Sequence, residues 1–328
     1  MNAARRMIAA GHVSAPRRRL HLRHGRDLQS LAYLLAAPLL VIWMWRHGFN
    51  LVLYGLLLFL TLGIGVIHHN HTHLRIWGGR GARLANRVTD GVITVLQGHP
   101  TFVFWPAHVG NHHRFKHGPR DVARTYRFGG DTNDLPGYLL HPLQAVPVLF
   151  PVFFAWLRRM RRHRPGVWRY CIAQYGLWLG TWAILLGLDP AKALVLVIVP
   201  QLHGLHWLLA TNYLQHAHAD GRPVAQGARR YDYARNFEGW VNPLLFNIGL
   251  HTAHHEHPRA HWSELTTLHA RHYRAHVSPV LNERGLLPYM WRVLVRGTFS
   301  ARHRSRPLMG LPPASHPHER EDRDAHSV

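Results

Sequence analysis

The chain has 328 residues, which leaves room for about two domains at ~150 residues each. Its 39 Lys+Arg against 16 Asp+Glu leave a net charge of +23, and a hydrophobic content of 47% excludes a disordered chain. The single cysteine, Cys171, excludes a disulfide framework, a Cys-ligated zinc site and an iron–sulfur cluster held by this chain alone.

The first 27 residues are basic (Arg5, Arg6, Arg17, Arg18, Arg19). An apolar run follows, and then at once a second, so a cytoplasmic anchor under the positive-inside rule fits better than a cleaved signal. Four apolar runs, at 28–45, 49–67, 170–188 and 191–214, are each long enough to cross a bilayer, which needs about 17–25 residues. Arg46, His47 and Gly48 separate the first two, and Asp189 and Pro190 the last two, so each pair predicts a tight helical hairpin. Between them, Leu84, Val88, Val92, Val95 and Leu96 recur at helical spacing, which predicts an amphipathic helix lying on the membrane over 83–97. A fifth apolar stretch, 138–157, contains Pro142, Pro147 and Pro151. Were it a span, the basic run 158–164 would face outward. As an interfacial or re-entrant segment it leaves every basic run and every histidine cluster on the cytoplasmic side. The stretch 291–328 is polar and charged and predicts a disordered tail. The expected fold is therefore all-α: a multi-pass membrane protein with two transmembrane hairpins, four spans, and a cytoplasmic helical cap carrying the histidines, with its main domain at 28–290. A mean hydropathy of −0.15 averages greasy and basic segments. Only two basic residues are lysines, Lys116 and Lys192. That arginine bias fits a GC-rich genome and suggests the inner membrane of such a bacterium.

Histidine is the outlier, with 31 in the chain. His68, His69, His71 and His73 follow the second apolar run. His108, His112 and His113 come next. Asn212, His216 and His218 close the fourth run, and His251, His254, His255 and His257 lie beyond it. In a chain this rich in histidine a single HxxHH arises by chance about 0.3 times and carries little weight. Histidine-rich tracts can also be solvated surface or loose metal-scavenging sequence. The combination carries the weight, because all four clusters sit at or just beyond the ends of apolar runs, and the topology gathers them on one side.

His251, His254 and His255 stand at i, i+3 and i+4, and His69 and His73, like Asn212 and His216, at i and i+4. Each set shares one helix face. His108 and His112 also share a face, but His113 would point about 140° from His108 on an ideal helix. That cluster must therefore sit at a helix end or divide its imidazoles between two metals. A pair, two triplets and His216 make nine imidazoles, whereas a lone zinc takes about four ligands. Nine suit two metals with room for oxygen, and imidazole accepts iron, copper or zinc. They can meet only if the hairpins pack as a bundle, whose ends commonly hold such sites.

These residues resemble the integral-membrane fatty acid desaturase superfamily, which includes related hydroxylases. The resemblance covers most of 28–290 and rests on HNHTH (69–73), HVGNHH (108–113), NYLQH (212–216) and HTAHHEHP (251–258), in the family's order beside two membrane hairpins. It implies a cytoplasmic, all-histidine di-iron centre with O2 as co-substrate. The implied metal ligands are His69 and His73, then His108, His112 and His113, then His216, and finally His251, His254 and His255. It also implies a possible metal or water-bridged role for Asn212, an acyl lipid substrate, and a separate ferredoxin-like or cytochrome-type electron donor with its reductase. The first cluster has four histidines in six residues, so His68 or His71 can stand in for His69. The second has one residue more than the family's usual spacing. No separate acid or base is assigned. A desaturase is the leading reading, with a hydroxylase or acetylenase on the same centre as its alternative. A histidine-rich divalent-metal transporter or binding protein is the alternative of another class. It should carry ionisable ligands along a path within its spans, and most clusters here lie outside them. Nucleic acid is a poor partner, since no binding module accompanies the charge.

Other residues have plainer readings. His117, His218, His257 and His261 flank the clusters and read as supporting or surface groups, and His12, His21 and His24 as solvated. His203 and His206 read as bundle-core histidines, Asp121, Asp131 and Asp134 as solvated loop acids with partners of the site histidines as their alternative, Trp178, Trp182 and Trp207 as packing or interfacial anchors, and Cys171 as an apolar filler.

Overall fold

The computed structural model describes residues 19–125, 132–219 and 231–308. The expectations for Arg5, Arg6, Arg17, Arg18, His12, Asp131 and 309–328 lie outside them. Six long helices follow one another: α1 (Leu28–His47), α2 (Leu51–His73), α3 (Ala82–Gln97), α4 (Leu135–His163), α5 (Pro165–Leu188) and α6 (Pro190–His216). Beyond them come short elements, among them α7 (His251–Glu256) and α8 (Leu286–Met290). The strands among the described residues are two residues long: β1 (His21–Leu22) pairs antiparallel with β2 (Trp77–Gly78), and β3 (Asn236–Phe237) pairs parallel with β4 (Asn282–Glu283). The fold is helical, as its composition and periodicity predict.

Both expected hairpins form, and their local chemistry explains the turns. Asn50 Oδ1 accepts from the N–H groups of Val52 and Leu53, both at 3.0 Å, and so caps α2. Asp189 Oδ1 does the same for Lys192 N–H at 3.0 Å, with Pro190 opening α6 where its missing N–H is harmless. Inside α6, Pro200 removes a ladder donor, and the preceding stretch Leu194–Ile198 relaxes to a π-turn. α2 packs against both α1 and α6. Gly204 allows the closest approach: a Cβ there would sit 3.0 Å from the Thr61 carbonyl oxygen. α2 also outruns its apolar stretch, so His69 and His73 are its last turns.

α3 forms where the sequence predicts it, with Leu84, Val88 and Val92 exposed, while Thr89, Asp90, Thr94 and Gln97 face inward beside Ile93. A helix that points its apolar side outward and its polar side inward is suited to an apolar exterior. By length and composition α1, α2, α4, α5 and α6 can each cross a membrane, one more than the four spans expected. The extra one, α4, is the stretch expected to be interfacial or re-entrant, and it runs unbroken through its three prolines. Its first turn meets the last turns of α6, where Asp134 N–H donates to the Tyr213 hydroxyl at 3.2 Å and His141 lies 5.2 Å from the Tyr213 ring. Its far end packs Phe153 and Leu157 on Cys171 in the first turns of α5. Those turns sit at the histidine end of α2, because Tyr170 OH donates to Asp90, which also accepts from Arg75. Both ends of α4 thus contact the same end of the bundle.

Residues 231–308 pack over that end, and one core joins them to the bundle: Ile64 and Ile67 of α2 share it with Phe246, Trp262 and Leu281. The expected boundary at 290 is corrected here. Residues 291–308 are folded, with Val293 and Leu294 buried and Leu308 N–H donating to the His218 carbonyl at 3.1 Å. The apolar residues here are few and interrupted by arginines, yet the two that turn inward, Val293 and Leu294, suffice to dock a short helix.

Candidate metal centre

Nine imidazoles converge where α2, the loop after α3, α6 and α7 meet. Asn70 Oδ1 lies 3.0 Å from His69 Nδ1 at the end of α2. Residues Trp105–His112 form a π-helix, whose i→i+5 turn brings His113 beside His108 with their Nε2 atoms 3.0 Å apart. His112 then points elsewhere. His216 ends α6, and α7 presents His251, His254 and His255 on one face.

Two groups result. One holds His69, His73, His108, His113 and His254, and the other His112, His216, His251 and His255, with one nitrogen of each residue within 4.8 Å of the rest of its group. His113 of the first stacks on His255 of the second with ring centroids 4.4 Å apart. The alternatives for the second cluster resolve into a division: consecutive residues, His112 and His113, serve different groups.

The donor set fits cations. His113 Nε2 is 3.0 Å from the Nε2 of both His108 and His254, and His251 Nε2 is 3.0 Å from the Nε2 of both His216 and His255. An imidazole nitrogen offers one proton or one lone pair, so it cannot satisfy two such neighbours by hydrogen bonding. A cation can, and nitrogens about 2.1 Å from one ion and at right angles stand about 3.0 Å apart. The Nε2 atoms of His69, His73 and His112 are buried with no hydrogen-bond partner. Burial, reinforced by neighbouring imidazoles, holds His108, His251, His254 and His255 well below the usual histidine pKa. They are therefore neutral donors at ordinary pH, the form a cation requires.

The rings are aimed by bonds at their other nitrogens. His216 Nδ1 donates to the Tyr233 carbonyl at 2.8 Å. His112 Nδ1 donates to Asp121 Oδ2 at 2.6 Å, with both side chains fully buried. Asp121 also accepts from the N–H of His117 (2.7 Å) and of Ala123 (2.8 Å). Burial would raise the Asp121 carboxyl, but the His112 ring and those N–H groups outweigh it and hold its pKa below the usual value. Asp121 is thus a buried support rather than a solvated loop acid. Its sequence signal was only its place nine residues after His112. Asp134 caps α4 by accepting from Gly137 N–H at 2.8 Å.

The remaining candidates stand apart from the two groups. His68 is bonded through both nitrogens, to Gln97 Oε1 (2.7 Å) and to the Thr101 carbonyl (2.9 Å). His71 Nδ1 accepts from Ile76 N–H at 3.3 Å, and its Nε2 lies 3.5 Å from Asp90. Asn212 Nδ2 donates to the Ala123 carbonyl at 2.9 Å, bracing the loop that carries Asp121. His117 stacks on His216, His257 Nε2 accepts from Tyr273 OH at 2.6 Å, His218 bonds Ser305, and His261 lies 3.3 Å from Asp27. His203 bonds Thr61, His206 lies against Tyr138, and Trp182 donates to Gln201.

A family model described as fatty acid desaturase matches residues 42–282, a span that contains both groups. Comparison with curated proteins and with solved structures gave no match.

Proposed function

Because the chain belongs to the fatty acid desaturase family, we propose that it is an O2-dependent di-iron membrane oxidoreductase that introduces a double bond into an acyl lipid. The observation that carries this is the pair of all-imidazole groups, five and four strong, at one end of an apolar helical bundle. His69, His73, His108, His113 and His254 hold one iron, and His112, His216, His251 and His255 the other. Two irons bound there supply O2 activation strong enough to break an unactivated C–H bond, with two electrons and two protons from outside completing the reduction to water. The chain's own work is to fix and shield that site. Asp121 and the Tyr233 carbonyl lock the His112 and His216 tautomers with Nε2 facing inward. Burial of the rings excludes water that would otherwise compete for the metals. The histidine end faces the cytoplasm, where a separate electron donor and its reductase can reach it, and α4 lies along that face, which leaves four spans.

Membranes from a host expressing the chain, supplied with ferredoxin, its reductase and O2, test the reading through the acyl products and the metal content of the purified protein. New double bonds with about two irons per chain are expected. New hydroxyl groups in place of double bonds would redirect the reading to a hydroxylase. Unchanged lipids together with stoichiometric zinc in iron-replete cells would sink it.

A further inference from the structure

The stretch read from sequence as a polar tail carries an apolar stripe. α8 continues through the π-turn Trp291–Arg296 into Gly297–Phe299 as one short rod. Leu287, Trp291, Val295 and Phe299 stand four residues apart along it and are 51%, 61%, 36% and 85% exposed. On an ideal helix each step of four overshoots a turn by about 40°. The wider π-turn takes that drift back, so the four stay in line. The opposite face is committed: Tyr289, Val293 and Leu294 are buried with Tyr213, Leu214 and Phe237.

Both flanks of this rod are tied to membrane helices. Leu135 and Tyr138 of α4 pack on its buried face, and Asn133 Nδ2 donates to Tyr289 OH at 2.7 Å. Just beyond them Leu139, Leu140 and Leu143 of α4 are themselves exposed. On the other flank Glu238 N–H donates to the Glu283 carbonyl, which sets exposed Trp240 beside the start of the rod. The following segment hangs on α1, where the Pro243 and Leu244 carbonyls accept from Gln29 Nε2 and Tyr33 OH. Exposed apolar side chains thus stand on both flanks of the rod, Trp240 and Leu244 on the side tied to α1 and Leu139, Leu140 and Leu143 on α4. Arg296, Arg302 and Arg306 are exposed beside it. Aromatic and aliphatic residues on one side of a short helix, flanked by guanidinium groups, match the chemistry of a membrane interface rather than of water.

We propose that the face made by Leu287, Trp291, Val295 and Phe299 lies in the bilayer interface among anionic headgroups and holds the cap down on the membrane. This does not rest on the metal assignment. The test places nitroxide labels at Leu287→Cys, Val295→Cys and Phe299→Cys in a Cys171→Ala background, with each protein in nanodiscs of phosphatidylcholine and phosphatidylglycerol. These side chains are exposed, so labelling leaves the packing intact. Collision rates with oxygen and with a water-soluble nickel chelate are then measured. The oxygen-to-nickel ratio is expected to be several-fold above that of a water-exposed nitroxide at all three positions. A ratio equal to that of the water-exposed nitroxide would overturn the proposal. So would dipolar broadening between labels that vanishes on dilution with unlabelled protein, because the face would then be covered by a second copy. An equal ratio in phosphatidylcholine alone would remove the anionic headgroup from it.

Discussion

Among the histidines at the end of α7 and just past it, three neighbours divide the work by direction rather than by type. His254 belongs to the five-membered group and His255 to the four-membered one, while His257 turns to the Tyr273 hydroxyl. Replacing His254 or His255 with Ala is expected to abolish turnover and to lower metal content, with the greater metal loss from His255→Ala, where three ligands remain rather than four. His257→Ala should keep most of both. Iron analysis beside acyl conversion reads this, and equal losses for His254 and His257 at unchanged iron would refute the division. Asp121 makes a sharper case. It accepts three hydrogen bonds through two oxygens, and an amide in its place must aim N–H groups at another N–H donor. Asp121→Asn should cost about 1–3 kcal/mol of stability from the unsatisfied donor, and about 10–100-fold in metal affinity. Thermal unfolding and metal titration measure the two separately. Most of the site was legible because i, i+3 and i+4 spacings survive in any helix. His113 was ambiguous because a π-turn cannot be read from residue types. Asp121 reads from sequence as a solvated acid by default, with support of the histidines only its alternative, because a carboxylate in a loop resembles a solvated one until its partners are seen.

For the helices, length and destination separate. α4 has the length and apolarity of a span, yet both of its ends touch the histidine end of the bundle. A cysteine at Arg161, in a Cys171→Ala background, should therefore react with a membrane-impermeant reagent only from the cytoplasmic side. Labelling from outside would make α4 a true span and move the count to five. Hydropathy could not decide this, since it measures composition and not where the ends are tied. The α2–α6 contact offers a second test. Gly204→Val sets a side chain against Thr61, 3.0 Å from its carbonyl oxygen, so overpacking should cost about 1–3 kcal/mol. Because the two helices carry His69, His73 and His216, metal loss should accompany the lower unfolding temperature. A variant that melts like the parent would show that the helices separate without cost.

Across the whole molecule, a single core runs from α2 into the cap, so the two imidazole groups bridge parts of the chain far apart in sequence. Anything that binds the folded state alone stabilises it, by about 2.7 kcal/mol when its free concentration is a hundredfold above its Kd. Stripping metal with a chelator should then lower the unfolding temperature of the wild-type chain but not of a His254→Ala, His255→Ala double variant, as scanning calorimetry in detergent would show. The distances in sequence also impose a schedule. His69 and His254 belong to one group although 185 residues of synthesis separate them. At about 5–20 residues per second the ribosome needs roughly 10–40 s to pass from the first to the second. Throughout that interval the early histidines would sit at the end of an apolar helix with an incomplete set of partners. The hairpins would then have to enter the bilayer without help from metal, and any ions would join only as the last stitch of biogenesis.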